Sequence, residues 1–434
     1  MTPAHRRLAV RAFSVLLFFT VLAGQFWRNL LGWWGFGVIA GLLTIGAVVL
    51  LVREKPEWSW RRSPKGVAAF LIVAALSIAW SHYPAASALG VGLTVATTIA
   101  AVFVGLCLSW AEFLRALGNA LRWILGLSLL FELGVALVVR GPLLPNFVSY
   151  EGEKIPMAFY WSRGLLFDGG PIEGIVASRN LLGFIALLAL IVFGIQLAAK
   201  TVQRRWGITW LVIAAVSFVL TRSATVTLAA VVVLAALGFA LWARHRGPRR
   251  RGVVYLTAGA ALVASIAALT LGWNLLLSIF GKSDDLTGRF DIWAAVSGLA
   301  SERPLAGWGW IGYWAPWVDP FDSLAERKGV LYLQAHNAWL DVWFQLGIIG
   351  LVVFAAIVIP ALWRSWFLAV DTAYDGRGAA LPPRASALLP LLVLAALIAQ
   401  SLAESRILVE GGWVLLVAVA FLTKRRQLSG EAMP

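Results

Sequence analysis

Apolar stretches of about 20 residues recur along the whole chain, and they restrict its possible folds more than any other feature. A helix needs about 20 apolar residues to cross the hydrocarbon core of a bilayer. Hydrophobic residues make up 60% of the 434 residues and charged residues only 13%, whereas a soluble domain carries roughly 25% charged residues. Since no polar linker divides the chain, the sequence predicts an all-α polytopic membrane protein with one integral membrane domain over residues 1–434.

Twelve stretches are long and apolar enough to be counted as transmembrane helices. The division between residues 207 and 243 rests only on Thr221, Arg222 and Ser223, within one long apolar run. The first stretch has the basic start of a signal peptide, but its apolar run continues past Ala23 to Trp27, which favours an uncleaved anchor. We predict spans near residues 9–27, 30–52, 66–82, 87–108, 119–139, 180–198, 207–221, 224–243, 252–280, 338–363, 385–403 and 411–423.

The basic residues indicate the orientation of these spans. With both termini cytoplasmic, the cytoplasmic segments hold about two thirds of the 36 Lys and Arg residues, as the positive-inside rule requires. The net charge of +15 is then accounted for by orientation and by anionic lipid headgroups. The lipid bilayer is therefore an expected partner and nucleic acid is not. Residues 371–384 are predicted to be a cytoplasmic linker.

Two external loops are longer than helix packing requires. They cover residues 140–179 and residues 281–337, the second lying between spans 9 and 10. Long loops in a compact protein are usually functional or disordered. Both contain tryptophan, tyrosine and apolar clusters rather than polar tracts, which favours function. We therefore expect the chemistry on the external face of the membrane.

Arg289 is the first candidate in the large loop, where it follows Gly288 in the segment that leads into a short amphipathic helix. The glycine lets the backbone approach a ligand closely. A guanidinium presents a rigid fork of donors that suits phosphate oxygens. The alternative is an interfacial arginine paired with Asp285 or Asp291.

His336 is the second candidate and the only histidine in that loop. It lies at the start of the tenth span, and an imidazole can take a proton from a hydroxyl nucleophile. Asn337 or Asp341 could hold its tautomer. The alternative is a histidine that hydrogen-bonds at a helix start without a chemical role.

Three further segments hold weaker candidates for substrate binding. Arg179 and Asn180 begin the sixth span, although an arginine there commonly extends to the interface. Arg222 lies among hydroxyl residues where two spans meet, and needs either a bound diphosphate or a structural carboxylate. Trp310 belongs to a turn of glycines and aromatics whose ring faces could stack on a sugar, or could be part of an interfacial aromatic belt.

Metal and cofactor sites are not expected. Cys107 is the only cysteine, and the four histidines are too dispersed to suggest a tetrahedral zinc site. No acidic pair has the spacing of metal ligands.

The order of these clusters resembles the O-antigen ligase and polymerase superfamily of bacterial membrane glycosyltransferases, closest to the branch of exopolysaccharide production proteins. The resemblance covers roughly residues 175–355. Each motif is weak by itself, but five in this order around a large external loop are specific. The matching pieces are Ser178-Arg179-Asn180, Leu220 to Thr225, Leu286 to Arg289 with Ile292-Trp293, Pro304 to Gly312, and Ala335-His336-Asn337 with Leu346 to Gly350.

This resemblance implies a fold of the glycosyltransferase C type and a donor glycan carried on undecaprenyl diphosphate, transferred without a metal ion to a saccharide or lipid-glycan acceptor. It implies that His336 is the general base and that Arg289 holds the donor diphosphate. A second arginine of the family follows the serine of its second motif, where this chain has Ala224. Arg222 or Arg179 could replace it. The expected substrate-binding residues are thus Arg222, Arg179, Asn180, Asn337, Trp310 and Asp285.

Several functions stay open at this point. A polymerase joins repeat units and a ligase moves a finished glycan to another acceptor; the exopolysaccharide-like motifs slightly favour the polymerase. A transporter or flippase of lipid-linked glycans also commonly has twelve spans, but it usually carries charges near the bilayer midplane. Glu132 is the only clearly mid-span acidic residue. A structural scaffold is the remaining alternative.

Overall fold

The structure, a computed structural model, describes residues 3–147, 155–271, 284–327, 330–373, 379 and 381–429. These residues form a helical bundle with one short antiparallel pair of strands, β1 (Glu326–Arg327) and β2 (Val330–Leu331). The α-helices are α1 (Pro3–Leu22), α2 (Gly24–Glu54), α3 (Lys65–Leu76), α4 (Pro84–Cys107), α5 (Trp110–Gly134), α6 (Arg179–Ala198), α7 (Arg204–Thr221), α8 (Ala224–Arg246), α9 (Gly252–Leu271), α10 (Asp284–Glu302), α11 (Ala338–Val370), α12 (Leu389–Ser401) and α13 (Glu410–Ser429).

A described helix overlaps each of the twelve predicted spans, although residues 272–280 of the ninth lie outside the described residues. By length and apolar composition, seven of the described helices could cross a membrane. These seven are α2, α4, α5 with its extension to Val139, α6, α7, α8 and α11. The structure thus supports a multi-pass membrane protein, while the number of twelve spans stays a prediction.

The centre of the bundle differs from its periphery in the surroundings of its apolar residues. Helix α6 is largely buried, as are α12 and the apolar part of α13. The peripheral helices α2, α8 and α9 instead expose large apolar side chains, among them Leu42, Leu234 and Leu256. An exposed apolar surface of this extent is unfavourable in water and is suited to contact with lipid. The lipid-facing helices therefore enclose a protein-packed centre.

One end of the bundle collects the segments that carry the site. The N-termini of α6, α8 and α11 lie there, with the C-termini of α7 and α12, because side chains from all of these segments contact one another. The other end is basic. There Arg251 pairs with Asp371 at 2.5 Å, and the Arg425 guanidinium donates to carbonyls at the end of α4, including Leu108 O at 3.0 Å.

Helix α11 is bent at Gly347, and the bend explains two of the sequence motifs. Gly347 has a φ of 65°, and a Cβ atom there would lie 2.2 Å from the backbone of Leu305. The segment 304–309 pairs with the bent backbone: Trp308 N donates to Phe344 O at 3.0 Å, and Ile348 N donates to Pro304 O at 2.8 Å. Only a glycine allows so close an approach at positive φ. The glycines of these two motifs therefore serve packing.

The first long loop is anchored by Glu132, whose side chain is 1% exposed. Its carboxylate accepts hydrogen bonds from Ser162 Oγ at 2.7 Å and from the backbone N–H groups of Glu173 at 3.0 Å and Gly174 at 2.6 Å. The one acidic residue predicted at mid-span is thus a structural anchor for residues 140–179. Residues 148–154 of this loop lie outside the described part of the chain.

The predicted large loop contains helix α10 and the strands β1 and β2. Helix α10 has 19 residues, longer than the short helix expected there. The assignment of residues 140–179 and 281–337 to the external face, and of residues 371–384 to the cytoplasm, stays a prediction.

Candidate active site

A buried carboxylate, Glu404, lies at the centre of the site. It follows α12, and its side chain is 4% exposed. Its Oε1 accepts from Asn180 Nδ2 at 3.0 Å and from Arg289 Nη2 at 3.1 Å. Its Oε2 accepts from Gln334 Nε2 at 3.1 Å and lies 3.0 Å from His336 Nδ1. One carboxylate thus joins side chains from three segments that are far apart in the sequence.

The electrostatics of Glu404 follow from these contacts. Burial by itself raises the pKa of the carboxyl, since it disfavours the charged form. The charge and hydrogen bond of His336, together with the charges of Arg289 and Arg406, outweigh burial and lower the pKa to about 2. Glu404 is therefore a carboxylate at any physiological pH, and it can only accept hydrogen bonds.

The state of Glu404 decides the tautomer of His336. Because the carboxylate accepts and cannot donate, the imidazole Nδ1 that faces it carries the hydrogen. In the neutral ring this leaves the lone pair on Nε2. The His336 side chain is 15% exposed and lines a cavity, so the ring has the arrangement that a general base requires.

The local backbone presents His336 by an unusual conformation. Its φ is 51°, in the left-handed region that residues other than glycine rarely adopt. Neighbouring contacts hold this turn: Trp293 Nε1 donates to Ala335 O at 2.9 Å, and Ala335 N donates to Asp341 Oδ2 at 3.0 Å. Strained residues persist where their surroundings determine them, and they cluster at functional sites.

Arg289 and Asn180 are held from the side of α8. Ser223 caps α8 and donates from its Oγ to Asn180 Oδ1 at 2.8 Å. Arg289 Nη1 donates to Thr225 Oγ1 at 3.3 Å. Since a guanidinium has five N–H donors, the two bonds of Arg289 leave donors for a ligand. The hydroxyl residues at the junction of α7 and α8 thus position both side chains.

A cavity of about 320 Å³ lies against this cluster. Small-molecule sites commonly enclose about 300–1,000 Å³. The cavity also receives Arg179, the first residue of α6, whose N-terminal dipole favours an anion. The lining residues are Met157, Ala158, Tyr160, Arg163, Glu173, Ala177, Ser178, Arg179, Asn180, Arg289, Ile292, Tyr332 and His336.

The structure separates the predicted site residues into two groups. His336, Arg289, Arg179 and Asn180 line one cavity. Arg222 is exposed at the end of α7 and is not among the lining residues. Of the two arginines left open by the sequence, the geometry thus favours Arg179. Asp285 belongs to α10, but its side chain lies outside the described residues.

The structure contradicts the predicted role of Trp310 and gives Asn337 a capping role. Trp310 does not offer an exposed ring face: it is 0% exposed, donates from Nε1 to Thr94 Oγ1 at 2.9 Å and packs edge-on against Phe70. Asn337 caps α11, where its Oδ1 accepts from Trp339 N at 3.0 Å. The tautomer of His336 is set by Glu404 rather than by Asn337 or Asp341, and Arg289 pairs with Glu404. The packing of a glycine-rich turn onto a bent helix buries Trp310, which local sequence cannot reveal.

The sequence does not predict Glu404 as a site residue, nor Gln334, Arg163 and Glu173. A signal for Glu404 exists in the Glu404-Ser405-Arg406 tripeptide. A charged side chain directly after an apolar span is energetically costly close to the membrane interior unless it is paired or takes part in function. That tripeptide lies on the same predicted side as His336.

The chain is similar to a known protein family and to a bacterial exopolysaccharide production protein. Residues 209–355 match the O-antigen ligase family. The matched segment carries Arg289 and His336, and it excludes Asn180 and Glu404. The chain is also 31% identical over 207 residues to "Exopolysaccharide production protein ExoQ" from Rhizobium meliloti (strain 1021). That match covers 43% of this chain and 45% of ExoQ, so it spans less than half of that relative's length. The predicted resemblance to the O-antigen ligase superfamily, in its exopolysaccharide production branch, is thereby confirmed.

Proposed function

We propose that the protein is a membrane glycosyltransferase that moves a glycan from undecaprenyl diphosphate to an acceptor hydroxyl during assembly of a cell-surface polysaccharide. The observation that supports this most is the meeting of His336 and Arg289 on one buried carboxylate, beside one cavity. The similarity to O-antigen ligases and to an exopolysaccharide production protein supports the class of substrate.

The reaction uses the two kinds of group that the site brings together. The oxygen of an acceptor hydroxyl attacks the anomeric carbon of the donor sugar, and the bond from that carbon to the diphosphate oxygen breaks. The hydroxyl proton moves to Nε2 of His336, and undecaprenyl diphosphate leaves with the bonding electrons. In-line attack inverts the anomeric centre. General base catalysis of this kind contributes typically 10²–10⁴-fold.

The arginines stabilise the leaving group. Arg289 and Arg179 direct N–H donors and positive charge at the diphosphate, where negative charge increases as the glycosidic bond breaks. Glu404 has a double role, since it orients the imidazole and prevents free rotation of the Arg289 guanidinium. No step requires a metal ion.

The site faces the outside of the inner membrane in this proposal. It lies at the end of the bundle away from the basic residues around Arg251 and Arg425. Basic residues concentrate on the cytoplasmic side. In this proposal the chain has twelve spans with both termini in the cytoplasm, and the cavity lies at the outer leaflet.

Transfer by the purified protein tests the proposal. Wild-type protein in lipid vesicles is supplied with lipid-linked repeat units extracted from a strain that lacks it, in excess EDTA, and new glycosidic bonds are detected by mass spectrometry. We expect His336→Ala and Arg289→Ala to lose nearly all transfer. Near-normal turnover by either variant contradicts the assignment. Movement of the lipid-linked glycan across the vesicle without a new bond would favour the flippase alternative.

A second measurement separates polymerase from ligase, with the polymerase slightly favoured by the similarity to an exopolysaccharide production protein. The lipid-linked pool of a deletion strain is analysed by chain length. Loss of a polymerase leaves single repeats on the carrier lipid. Loss of a ligase leaves long chains on it.

A further inference from the structure

A second buried glutamate, Glu173, lies beside the same cavity as Glu404, in the part of the wall that the first long loop forms. Its side chain is 4% exposed, and its Oε1 lies 3.0 Å from Nε of Arg163. Among the described residues, Arg163 is its only ion-pair partner. Both residues line the cavity. The first loop therefore contributes a charged pair to the site that the proposed reaction does not yet use.

The backbone at both members of the Arg163–Glu173 pair is held by the same residue. Glu132 accepts from Ser162 Oγ, next to Arg163, and from the backbone N–H of Glu173. Trp161 Nε1 donates to Ile175 O at 3.1 Å across the same two segments. Side chains on a backbone held in this way lose little freedom when a ligand binds, which strengthens binding.

The exposure of the pair indicates which member meets a ligand. The Arg163 side chain is 25% exposed, whereas its Nε is buried toward Glu173. The exposed part of the guanidinium is consequently its two terminal amino groups. Both carboxylate oxygens of Glu173 are buried. Arg163 thus presents its outer donors to the cavity, and Glu173 supports it from behind.

The charge of the cavity wall favours an anionic ligand. Three arginines (Arg163, Arg179 and Arg289) line it, against Glu173 as the one lining carboxylate among the described residues. An excess of guanidinium groups around a small cavity suits phosphate oxygens. The N-terminal dipole of α6 adds to the same field.

We propose that Arg163, positioned by Glu173, binds an oxygen of the donor diphosphate, so that the diphosphate is held between the first loop and the wall that carries Arg289. This inference rests on the proposed function for the identity of the anion. Arg163 lies outside the segment that matches the O-antigen ligase family, so the similarity does not assign it.

Binding of two probes tests the inference: undecaprenyl diphosphate and undecaprenyl monophosphate, each titrated into protein in detergent. We expect Arg163→Ala to weaken diphosphate binding by roughly 10- to 100-fold, as for loss of a charge-assisted hydrogen bond, and monophosphate binding by less. Arg163→Lys should recover part of the loss. Arg140→Ala removes an exposed arginine of the same loop that does not line the cavity, and it is the matched control.

A double-mutant cycle separates positioning from a merely structural ion pair. Glu173→Gln should weaken diphosphate binding less than Arg163→Ala, and the double variant should be no worse than Arg163→Ala alone, since Glu173 acts through the arginine. If Arg163→Ala lowers the melting temperature but leaves the preference for diphosphate intact, the pair only stabilises the loop and the inference is overturned. If Arg163→Ala weakens both probes equally, it is also overturned.

The same proteins, assayed for transfer, keep this inference apart from the proposed function. Wild-type protein that binds diphosphate through Arg163 but forms no glycosidic bond contradicts only the proposed function. Wild-type protein that transfers glycan while Arg163→Ala retains full diphosphate affinity contradicts only the role of Arg163.

Discussion

Glu404 and Glu173 are both buried beside one cavity, but they differ in the donors and charges that surround them. Glu404 receives donors from α6, from α10 and from the segment before α11, and its pKa is lowered to about 2. Glu173 has one arginine from its own loop, and burial raises its pKa in spite of the charges of Arg163 and Arg179. Burial of a carboxyl does not decide its charge; the number of donors around it does. Glu404 joins distant segments, whereas Glu173 supports one side chain.

The largest effect should come from Glu404→Gln. The amide cannot accept from both Arg289 and His336 as a carboxylate does, and removing one partner of a buried ion pair typically costs about 3–5 kcal/mol. We expect a strongly lowered melting temperature and transfer reduced by roughly 10²-fold or more through the displaced base. Glu302→Gln, an exposed glutamate at the end of α10, is the control. Near-normal transfer by Glu404→Gln would show that the carboxylate does not organise the site.

Arg179→Ala should have the next largest effect. This variant tests whether Arg179 or Arg222 binds the diphosphate. Arg179 lines the cavity and Arg222 does not. Loss of a charge-assisted contact to phosphate predicts a decrease in transfer of roughly 10- to 100-fold for Arg179→Ala. Arg222→Ala should change transfer by less than about threefold, as for a surface substitution. The reverse order of the two variants would restore Arg222 as the diphosphate ligand.

The pH dependence of stability should distinguish the two glutamates. Because the pKa of Glu404 falls from 4.5 in the unfolded chain to about 2, its contribution is complete above pH 4.5 and is lost as the pH falls toward 2. The raised pKa of Glu173 has the opposite effect on stability. The folded protein disfavours the ionised carboxylate, so stability falls as the pH rises and Glu173 ionises. Thermal unfolding should show an acid decrease that Glu404→Gln lacks and Glu173→Gln retains. Equal profiles for both variants would contradict the comparison.

Trp310→Phe should have the smallest effect. The substitution keeps an aromatic ring in the core and loses the hydrogen bond to Thr94, which costs about 1 kcal/mol. We expect transfer within about twofold of wild type, because the indole does not touch the cavity; typical effects of such conservative core changes are of this small order. A large loss of transfer in a protein that melts normally would return Trp310 to the substrate-binding residues.

The sequence was sufficient for features that depend on local composition. Apolar length predicted the helices, and an imidazole and a guanidinium in the large loop were singled out by their chemistry. Glu404 could not be found in this way, because its role depends on α12 ending beside α6 and α11, a contact between residues more than 60 positions apart. Trp310 was misjudged for the same reason: exposure depends on what packs over a turn, and the partner of that turn is the bend at Gly347.

The convergence of segment ends on Glu404 has a consequence for dissecting the protein. The region that matches the O-antigen ligase family, residues 209–355, contains the imidazole and the guanidinium but neither the amide of Asn180 nor the carboxylate that binds all three. Excised from the chain, that region would carry its reactive groups without the acid that orients them. We therefore expect transfer to require the whole bundle, and an exchange of family segments between relatives to succeed only when the flanking helices are exchanged with them.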